Sequence, residues 1–120
     1  MAYRVLLVDD DQALQEELKE SLKDFEVLTA SGGNRALETI NANNEIDLVV
    51  LDIKMPGEQG TDILKKIRSA RPQVGIIMLT AYSTIETAIN SLKGRADDYL
   101  EKPVGIEDLI TCIDTVLKKK

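Results

Sequence analysis

Three aspartates follow a short apolar run near the start of the chain, in the stretch VLLVDDD, and Asp52 follows the apolar run LVVL. Two unit charges about 4 Å apart repel by roughly 4 kcal/mol at an effective dielectric constant of about 20, so grouped carboxylates need a compensating charge. Mg²⁺ supplies such a charge and takes oxygen ligands, usually one or two carboxylates together with waters and phosphate oxygens. Asp9, Asp10 and Asp52 are therefore candidate ligands of a magnesium ion.

Two other polar side chains stand at the ends of apolar runs, Thr80 after GIIML and Lys102 after YLE. A lysine would neutralise further negative charge, and a hydroxyl together with backbone N–H groups would hold phosphoryl oxygens. An aspartate can itself be the nucleophile that accepts a phosphoryl group. Each residue alone has an ordinary explanation, such as a surface lysine or, for Asp11, the N-cap of a helix. Their joint occurrence at the ends of apolar runs favours a phosphoryl-accepting site.

These residues belong to a regular alternation of strands and helices. Short apolar runs predict strands at 5–8, 27–30, 48–51, 75–79 and 99–101. Apolar residues at helical spacing predict helices at 14–25, 36–40, 63–67, 85–92 and 106–117. Strands that alternate with helices indicate a parallel sheet covered by helices on both faces. Ligands bind beyond the carboxyl ends of the strands in such sheets, which is where the candidate residues stand.

Composition narrows the class of protein. A length of 120 residues predicts one domain, spanning residues 1–120. A net charge of −6 argues against direct binding of nucleic acid or of an anionic membrane. No apolar run approaches the roughly 18 residues of a membrane span. The single cysteine, Cys112, excludes a disulfide framework and favours a reducing cytoplasm. The absence of histidine excludes Ser-His and Cys-His nucleophile pairs and a phosphohistidine donor.

Four stretches together resemble the response-regulator receiver domains of two-component signalling. They are RVLLVDDD, DLVVLDIKMPGEQG, IIMLTAYSTIETAI and DDYLEKPV, and the resemblance covers essentially the whole chain. It implies an α/β fold of five βα units, a doubly wound, flavodoxin-like parallel sheet of five strands in the order 2-1-3-4-5. LTAYSTIETAI and DDYLEKPV are most similar to the receivers of NtrC-type transcription activators.

The resemblance also implies a role for each candidate residue. Asp52 matches the phosphoacceptor, Asp10 the direct carboxylate ligand of Mg²⁺, and Asp9 the acid that reaches the ion mainly through water. The backbone carbonyl of Lys54 matches a further metal ligand.

The remaining roles concern the phosphoryl group and the switch. Thr80 and Lys102 match the residues that contact the phosphoryl group, and Tyr99 matches an aromatic switch that moves with Thr80. The sequence departs from the family at Arg95, where glycine is common. We expect either that the preceding helix ends one residue early or that Arg95 has an unusual backbone conformation.

The function that the resemblance implies is a phosphorylation-controlled switch in the cytoplasm. A sensor histidine kinase supplies the phosphoryl group, and a downstream effector domain or protein reads a face built from the fourth helix, fifth strand and fifth helix. The expected output is control of transcription, and the resemblance allows a homodimer that forms on phosphorylation. The domain assists its own phosphorylation and dephosphorylation but is not a metabolic enzyme.

Three other functions can be weighed against this one. A haloacid-dehalogenase phosphatase needs a second acid two positions after its nucleophile, where this chain has Lys54. A flavodoxin-like FMN carrier needs a hydroxyl- and glycine-rich phosphate loop after the first strand, where three aspartates would repel the phosphate. A pseudo-receiver that acts unphosphorylated is the rival from another class; such a protein would be expected to lack one of the five site residues, which are all present here.

Overall fold

A computed structural model of the chain describes residues 3–9, 11–43, 45–52, 54–55, 58–80, 95–101 and 105–119, and at residues 14, 54–55, 58–61 and 80 it describes the backbone alone. The helix predicted at 85–92 lies outside the described residues.

Strands and helices alternate along the described chain as the sequence predicts. The strands are β1 (Arg4–Val8), β2 (Glu26–Ala30), β3 (Ile46–Asp52), β4 (Lys54–Met55), β5 (Glu58–Gln59), β6 (Gly75–Thr80) and β7 (Asp98–Glu101). The helices are α1 (Gln12–Ser21), α2 (Gly33–Ala42), α3 (Gly60–Ala70) and α4 (Ile106–Lys118). The first predicted helix is too long at its C-terminal end, because α1 ends at Ser21 and Phe25 lies in the bend before β2. In the described part of the chain, no helix is long and apolar enough to cross a membrane.

Five strands form one parallel sheet in the order β2-β1-β3-β6-β7. Because β6 and β7 are the fourth and fifth predicted strands, the predicted order 2-1-3-4-5 and the doubly wound α/β fold are confirmed. β4 and β5 form a separate antiparallel ladder that the sequence did not predict. Two residues per strand are too few to produce a detectable periodicity.

Each face of the sheet has its own buried core. Leu6 and Val8 of β1 lie in the core shared with α2 and α3. Val5 and Leu7 lie in the core shared with α1 and α4. Successive side chains of a strand point to opposite faces, so a strand covered on both sides reads as an unbroken apolar run. This explains why β1 and β3, which are almost fully buried, were recognisable in the sequence.

Gly75 stands where β6 begins and α4 passes close to the sheet. A Cβ atom at this position would lie 2.9 Å from Cγ1 of Val116 and 3.2 Å from Cδ1 of Leu48. Crowding of this kind in a packed core costs about 1–3 kcal/mol. We expect Gly75→Ala to lower the free energy of unfolding by that amount in urea denaturation.

The matched control is Val116→Ala, which removes the nearest methyl group. In the double variant Gly75→Ala/Val116→Ala the two losses should be less than additive, because the new methyl group occupies space that the valine has vacated. Full additivity would show that the two side chains do not compete for space.

Arg95 has a backbone φ of 64°, in the left-handed region. This value confirms the expectation that Arg95, where glycine is common in the family that the sequence resembles, has an unusual backbone conformation. An L-residue in that conformation costs about 1–2 kcal/mol, whereas glycine adopts it freely but loses about 0.5–1 kcal/mol more backbone entropy on folding. Arg95→Gly should therefore raise the free energy of unfolding by a net amount of about 0.5–1 kcal/mol in urea.

Arg95→Ala is the control for the Arg95→Gly experiment, because it removes the long side chain but keeps a Cβ atom. The exposed side chain contributes little, so the alanine variant should stay within about 0.5 kcal/mol of the unmodified chain. A gain as large in alanine as in glycine would show that backbone conformation is not the cause.

Candidate functional site

Asp9 and Asp52 stand at the carboxyl ends of two neighbouring strands. Val8 of β1 pairs with Leu51 of β3, so Asp9 and Asp52 are the next residues along each strand. Neighbouring strands lie about 4.8 Å apart. Both aspartates are only 6% exposed. The structure therefore brings two of the three predicted metal-binding acids into adjacent, buried positions, while Asp10 lies outside the described residues.

A hard divalent cation fits this pair of carboxylates. Their negative charges repel in surroundings of low dielectric constant, and carboxylate oxygens are the ligands that Mg²⁺ prefers. Within the ranges that the structure describes, no group of three or more Asp, Glu, Cys or His side chains could hold a metal ion by itself. The pair fits part of a magnesium site, and the complete ligand assignment stays a prediction.

The chain around Asp9 is held by hydrogen bonds on both sides. The N–H group of Asp9 donates to the carbonyl of Ala30 in β2 at 3.1 Å, which continues the sheet beyond β1. The N–H group of Asp11 donates to Oδ1 of Asp9 at 3.0 Å. Asp11 is the residue before α1, and its carbonyl accepts the N–H of Gln15 at 3.1 Å. Asp9 is therefore tied to β2, and Asp11 to the first turn of α1.

Gln15 is a buried polar residue beside this loop, and the sequence analysis missed it. It is 7% exposed, and its Nε2 donates to the carbonyl oxygens of Asp9 and Ala30, both at 2.8 Å. A longer contact of 3.4 Å reaches the carbonyl of Leu7. Gln15 lies three residues before Leu18 on the buried face of α1, and a polar residue at that apolar spacing was the available signal.

The other predicted site residues differ in how much the structure describes. Asp52 pairs with Leu79 of β6, so Thr80 is one position further along the same edge of the sheet, and its backbone ends β6. Lys54 begins β4, two residues after Asp52, and only its backbone is described. Lys102 lies outside the described residues. The roles of these three residues stay predictions.

Tyr99 lies on the edge strand β7, beside β6. It pairs with Met78, and Thr80 pairs with Glu101, so Tyr99 and Thr80 are two positions apart on neighbouring strands. The tyrosine is partly buried and packs against the core shared with α2 and α3. This position is compatible with the predicted switch, in which the ring moves together with Thr80.

A second buried polar residue, Arg68 of α3, holds the chain that leads into β7. It is 5% exposed. Its Nη1 donates to the carbonyls of Val74 and Pro72 at 2.6 and 3.1 Å, before β6. Its Nε and Nη2 donate to the carbonyl of Arg95 at 3.1 and 2.8 Å.

The guanidinium of Arg68 also forms an ion pair with Asp97, with 3.0 Å between Nη2 and Oδ2. The same carboxylate oxygen accepts the N–H of Ile76 in β6 at 2.8 Å. Arg68 lies four residues after Leu64 on the apolar stripe of α3, so a polar residue at core spacing was again the signal. The ion pair therefore fixes the start of β7, the strand that carries Tyr99.

Cys112 packs in the core shared with α1 and α4. Its Sγ lies 3.2 Å from Oδ2 of Asp98. Burial in the core and the hydrogen bond to this carboxylate raise the pKa of Cys112 to about 12. The thiol therefore stays protonated, and its contact joins α4 to the beginning of β7.

Comparison with known proteins gives consistent matches. A family model described as response regulator receiver domain matches residues 5–114. A relative named response regulator MprA, from Mycobacterium sp. (strain KMS), is 38% identical over 121 residues, which cover 99% of this chain and 52% of that protein. The chain thus spans about half the length of the curated relatives it matches.

Two solved structures match over nearly their whole length. A CheY-like response regulator receiver domain protein from Methanospirillum hungatei JF-1 has a TM-score of 0.92 at 36% identity, covering 99% of this chain and 96% of that chain. A response regulator receiver domain protein from Clostridium thermocellum has a TM-score of 0.91 at 35% identity, covering 98% and 95%. The likeness extends over both cores and over the edge of the sheet at which Asp9 and Asp52 lie.

Proposed function

This chain belongs to the family of response regulator receiver domains, and from that premise we propose that Asp52 is the residue that accepts the phosphoryl group in two-component signalling. The observation that carries the proposal is the buried position of Asp52 at the end of β3, beside the equally buried Asp9. An aspartate in this position lies at the edge of the sheet where ligands of such folds bind.

The transfer requires one nucleophile and one leaving group. A carboxylate oxygen of Asp52 attacks the phosphorus of a phosphohistidine on a sensor histidine kinase. The new P–O bond forms as the P–N bond breaks, and the histidine leaves as a neutral imidazole after taking up a proton. Apart from the attacking carboxylate of Asp52, the protein contributes mainly positioning and charge stabilisation to such a reaction.

We propose that Asp9, Asp10, Asp52 and the backbone carbonyl of Lys54 hold Mg²⁺ at this edge. When bound, the ion neutralises the carboxylates and polarises phosphoryl oxygens. Thr80 would donate its hydroxyl to one phosphoryl oxygen, and Lys102 would place an ammonium group beside another. The charge of the acidic cluster supports the metal part of the proposal, since three neighbouring carboxylates would otherwise repel an incoming phosphoryl group.

Phosphorylation of Asp52 would change a surface elsewhere on the domain, and a partner would bind that surface. In the proposal, Thr80 moves towards the new phosphoryl group and Tyr99 follows, which alters the surface around β7 and α4. A downstream effector domain or protein, or a second copy of the chain, binds that surface, and the output is transcription. Residues 1–120 act in the cytoplasm as one receiver domain that promotes its own phosphorylation and dephosphorylation without being a metabolic enzyme.

The proposal is tested with acetyl phosphate, a small-molecule phosphodonor, and intact mass spectrometry. In Mg²⁺ we expect a single phosphoryl adduct that is lost on treatment with hydroxylamine, as an acyl phosphate is. In EDTA the adduct should be strongly reduced. A chain that takes up no phosphoryl group in Mg²⁺ would instead be an interaction module, and an adduct of equal yield in EDTA would contradict the metal site.

A further inference from the structure

We propose that Gln15 is a positioning residue of the metal site, because its side-chain amide fixes the backbone carbonyl group of Asp9. The inference rests on the proposed function, since it concerns how well the acidic loop binds Mg²⁺. It adds a residue of α1 to a site otherwise built from the ends of strands.

The contacts define which end of the amide faces the loop. Nε2 lies 2.8 Å from the carbonyl oxygens of both Asp9 and Ala30, and 3.4 Å from that of Leu7. All three partners are acceptors, so only the NH₂ group of the side chain can face them. One buried amide thereby joins the end of β1, the end of β2 and the first turns of α1.

The hydrogen bond to Asp9 matters because of the covalent geometry of the chain. The carbonyl of Asp9 is part of the planar peptide group that continues to Asp10. On the other side of the same residue, the N–H of Asp9 donates to Ala30 at 3.1 Å. Gln15 and β2 together therefore hold the peptide groups on both sides of Asp9, and with them the direction in which its side chain leaves the backbone.

A metal ion is sensitive to this kind of support. Mg²⁺ demands nearly ideal octahedral geometry, so ligands that must first be oriented bind it less well. Groups that orient the ligands of metal sites typically change metal affinity by about 10–100-fold when they are removed. We therefore expect the Mg²⁺ affinity to fall when the Gln15 amide is removed, although the proposed ligand residues themselves are unchanged.

The test uses Gln15→Met, which keeps the length of the side chain and removes both N–H donors. Mg²⁺ is titrated into the isotope-labelled chain, and the midpoint is read from amide chemical shifts by NMR, with sucrose present to favour the folded state. We expect the midpoint to rise about tenfold. Gln15→Asn is the second variant; it retains the amide on a shorter side chain and should give a smaller rise.

Two controls separate positioning from general stability. Gln12→Met alters an exposed glutamine on the same helix, and Gly75→Ala lowers stability at the opposite end of β6 from Thr80. Both should leave the Mg²⁺ midpoint within twofold of the unmodified chain, although Gly75→Ala unfolds at lower urea.

The outcomes distinguish this inference from the proposed function. An unchanged midpoint in Gln15→Met would overturn the inference while leaving the metal site intact. If the Mg²⁺ midpoint rises as much in Gly75→Ala as in Gln15→Met, the effect of Gln15 is one of general stability and not of positioning. Absence of any Mg²⁺ response in the unmodified chain would overturn the metal site itself, and the inference with it.

Discussion

Asp52→Asn is expected to abolish the phosphoryl adduct formed from acetyl phosphate and Mg²⁺. The substitution preserves the size of the side chain but replaces the attacking carboxylate oxygen by a neutral amide, which is a far weaker nucleophile. A loss of at least about a hundredfold in rate, equivalent to about 2.7 kcal/mol in the barrier, would bring the adduct below detection. Intact mass spectrometry after a fixed incubation measures the loss.

The control for Asp52→Asn is Asp24→Asn, which makes the same chemical change at an exposed acid in the turn between α1 and β2. It should be phosphorylated as fast as the unmodified chain. Thermal unfolding in EDTA checks that Asp52→Asn is folded. Undiminished labelling of Asp52→Asn at another residue would show that the acceptor had been assigned wrongly.

Arg68→Leu is expected to lower the free energy of unfolding by about 3 kcal/mol, measured by urea denaturation. Removing one member of a buried ion pair typically costs about 3–5 kcal/mol, because the remaining charge loses its partner. The value at the lower end is appropriate because the side chain of Asp97 is 20% exposed, whereas that of Arg68 is 6% exposed. The carbonyls of Val74, Pro72 and Arg95 also lose their donor.

Replacing another cationic residue of α3 by leucine, at the exposed position Lys65, isolates the effect of the contacts. Lys65→Leu should change stability by no more than about 0.5 kcal/mol. The double variant Arg68→Leu/Asp97→Asn should recover part of the loss, because the partly buried carboxylate of Asp97 is then replaced by a neutral amide. Equal losses in Arg68→Leu and Lys65→Leu would show that the ion pair and its carbonyl contacts contribute nothing measurable.

The sequence was most informative where burial on both faces leaves an unbroken apolar run. The central strand β3 was recognisable from LVVL alone, and its last residue, Asp52, was placed at the functional edge because the carboxyl ends of parallel strands meet there. Phe25 shows the opposite case. It has near-helical spacing from Leu22, but the chain has already left α1 and the ring packs on the core from a bend.

Gln15 and Arg68 could not be assigned a role from the sequence. Each interrupts an apolar stripe, which signals only that a polar group is buried and must have partners. The partners of Arg68 include the carbonyl of Arg95, 27 residues away, and those of Gln15 include Ala30 on a neighbouring strand. Such partners are backbone groups that carry no mark in the amino-acid sequence, so only the folded chain reveals them.

The contact between Cys112 and Asp98 has a practical consequence for spectroscopy. The thiolate is the species that reacts with maleimide dyes, and at pH 7 a thiol whose pKa is about 12 is almost entirely protonated. The native Cys112 is therefore expected to react very slowly with a maleimide dye. A second cysteine introduced at an exposed position, such as Thr115 on α4, can be labelled selectively while Cys112 remains in place. Fluorescence from that dye would then report on the surface around β7 and α4 in a chain whose core is unaltered.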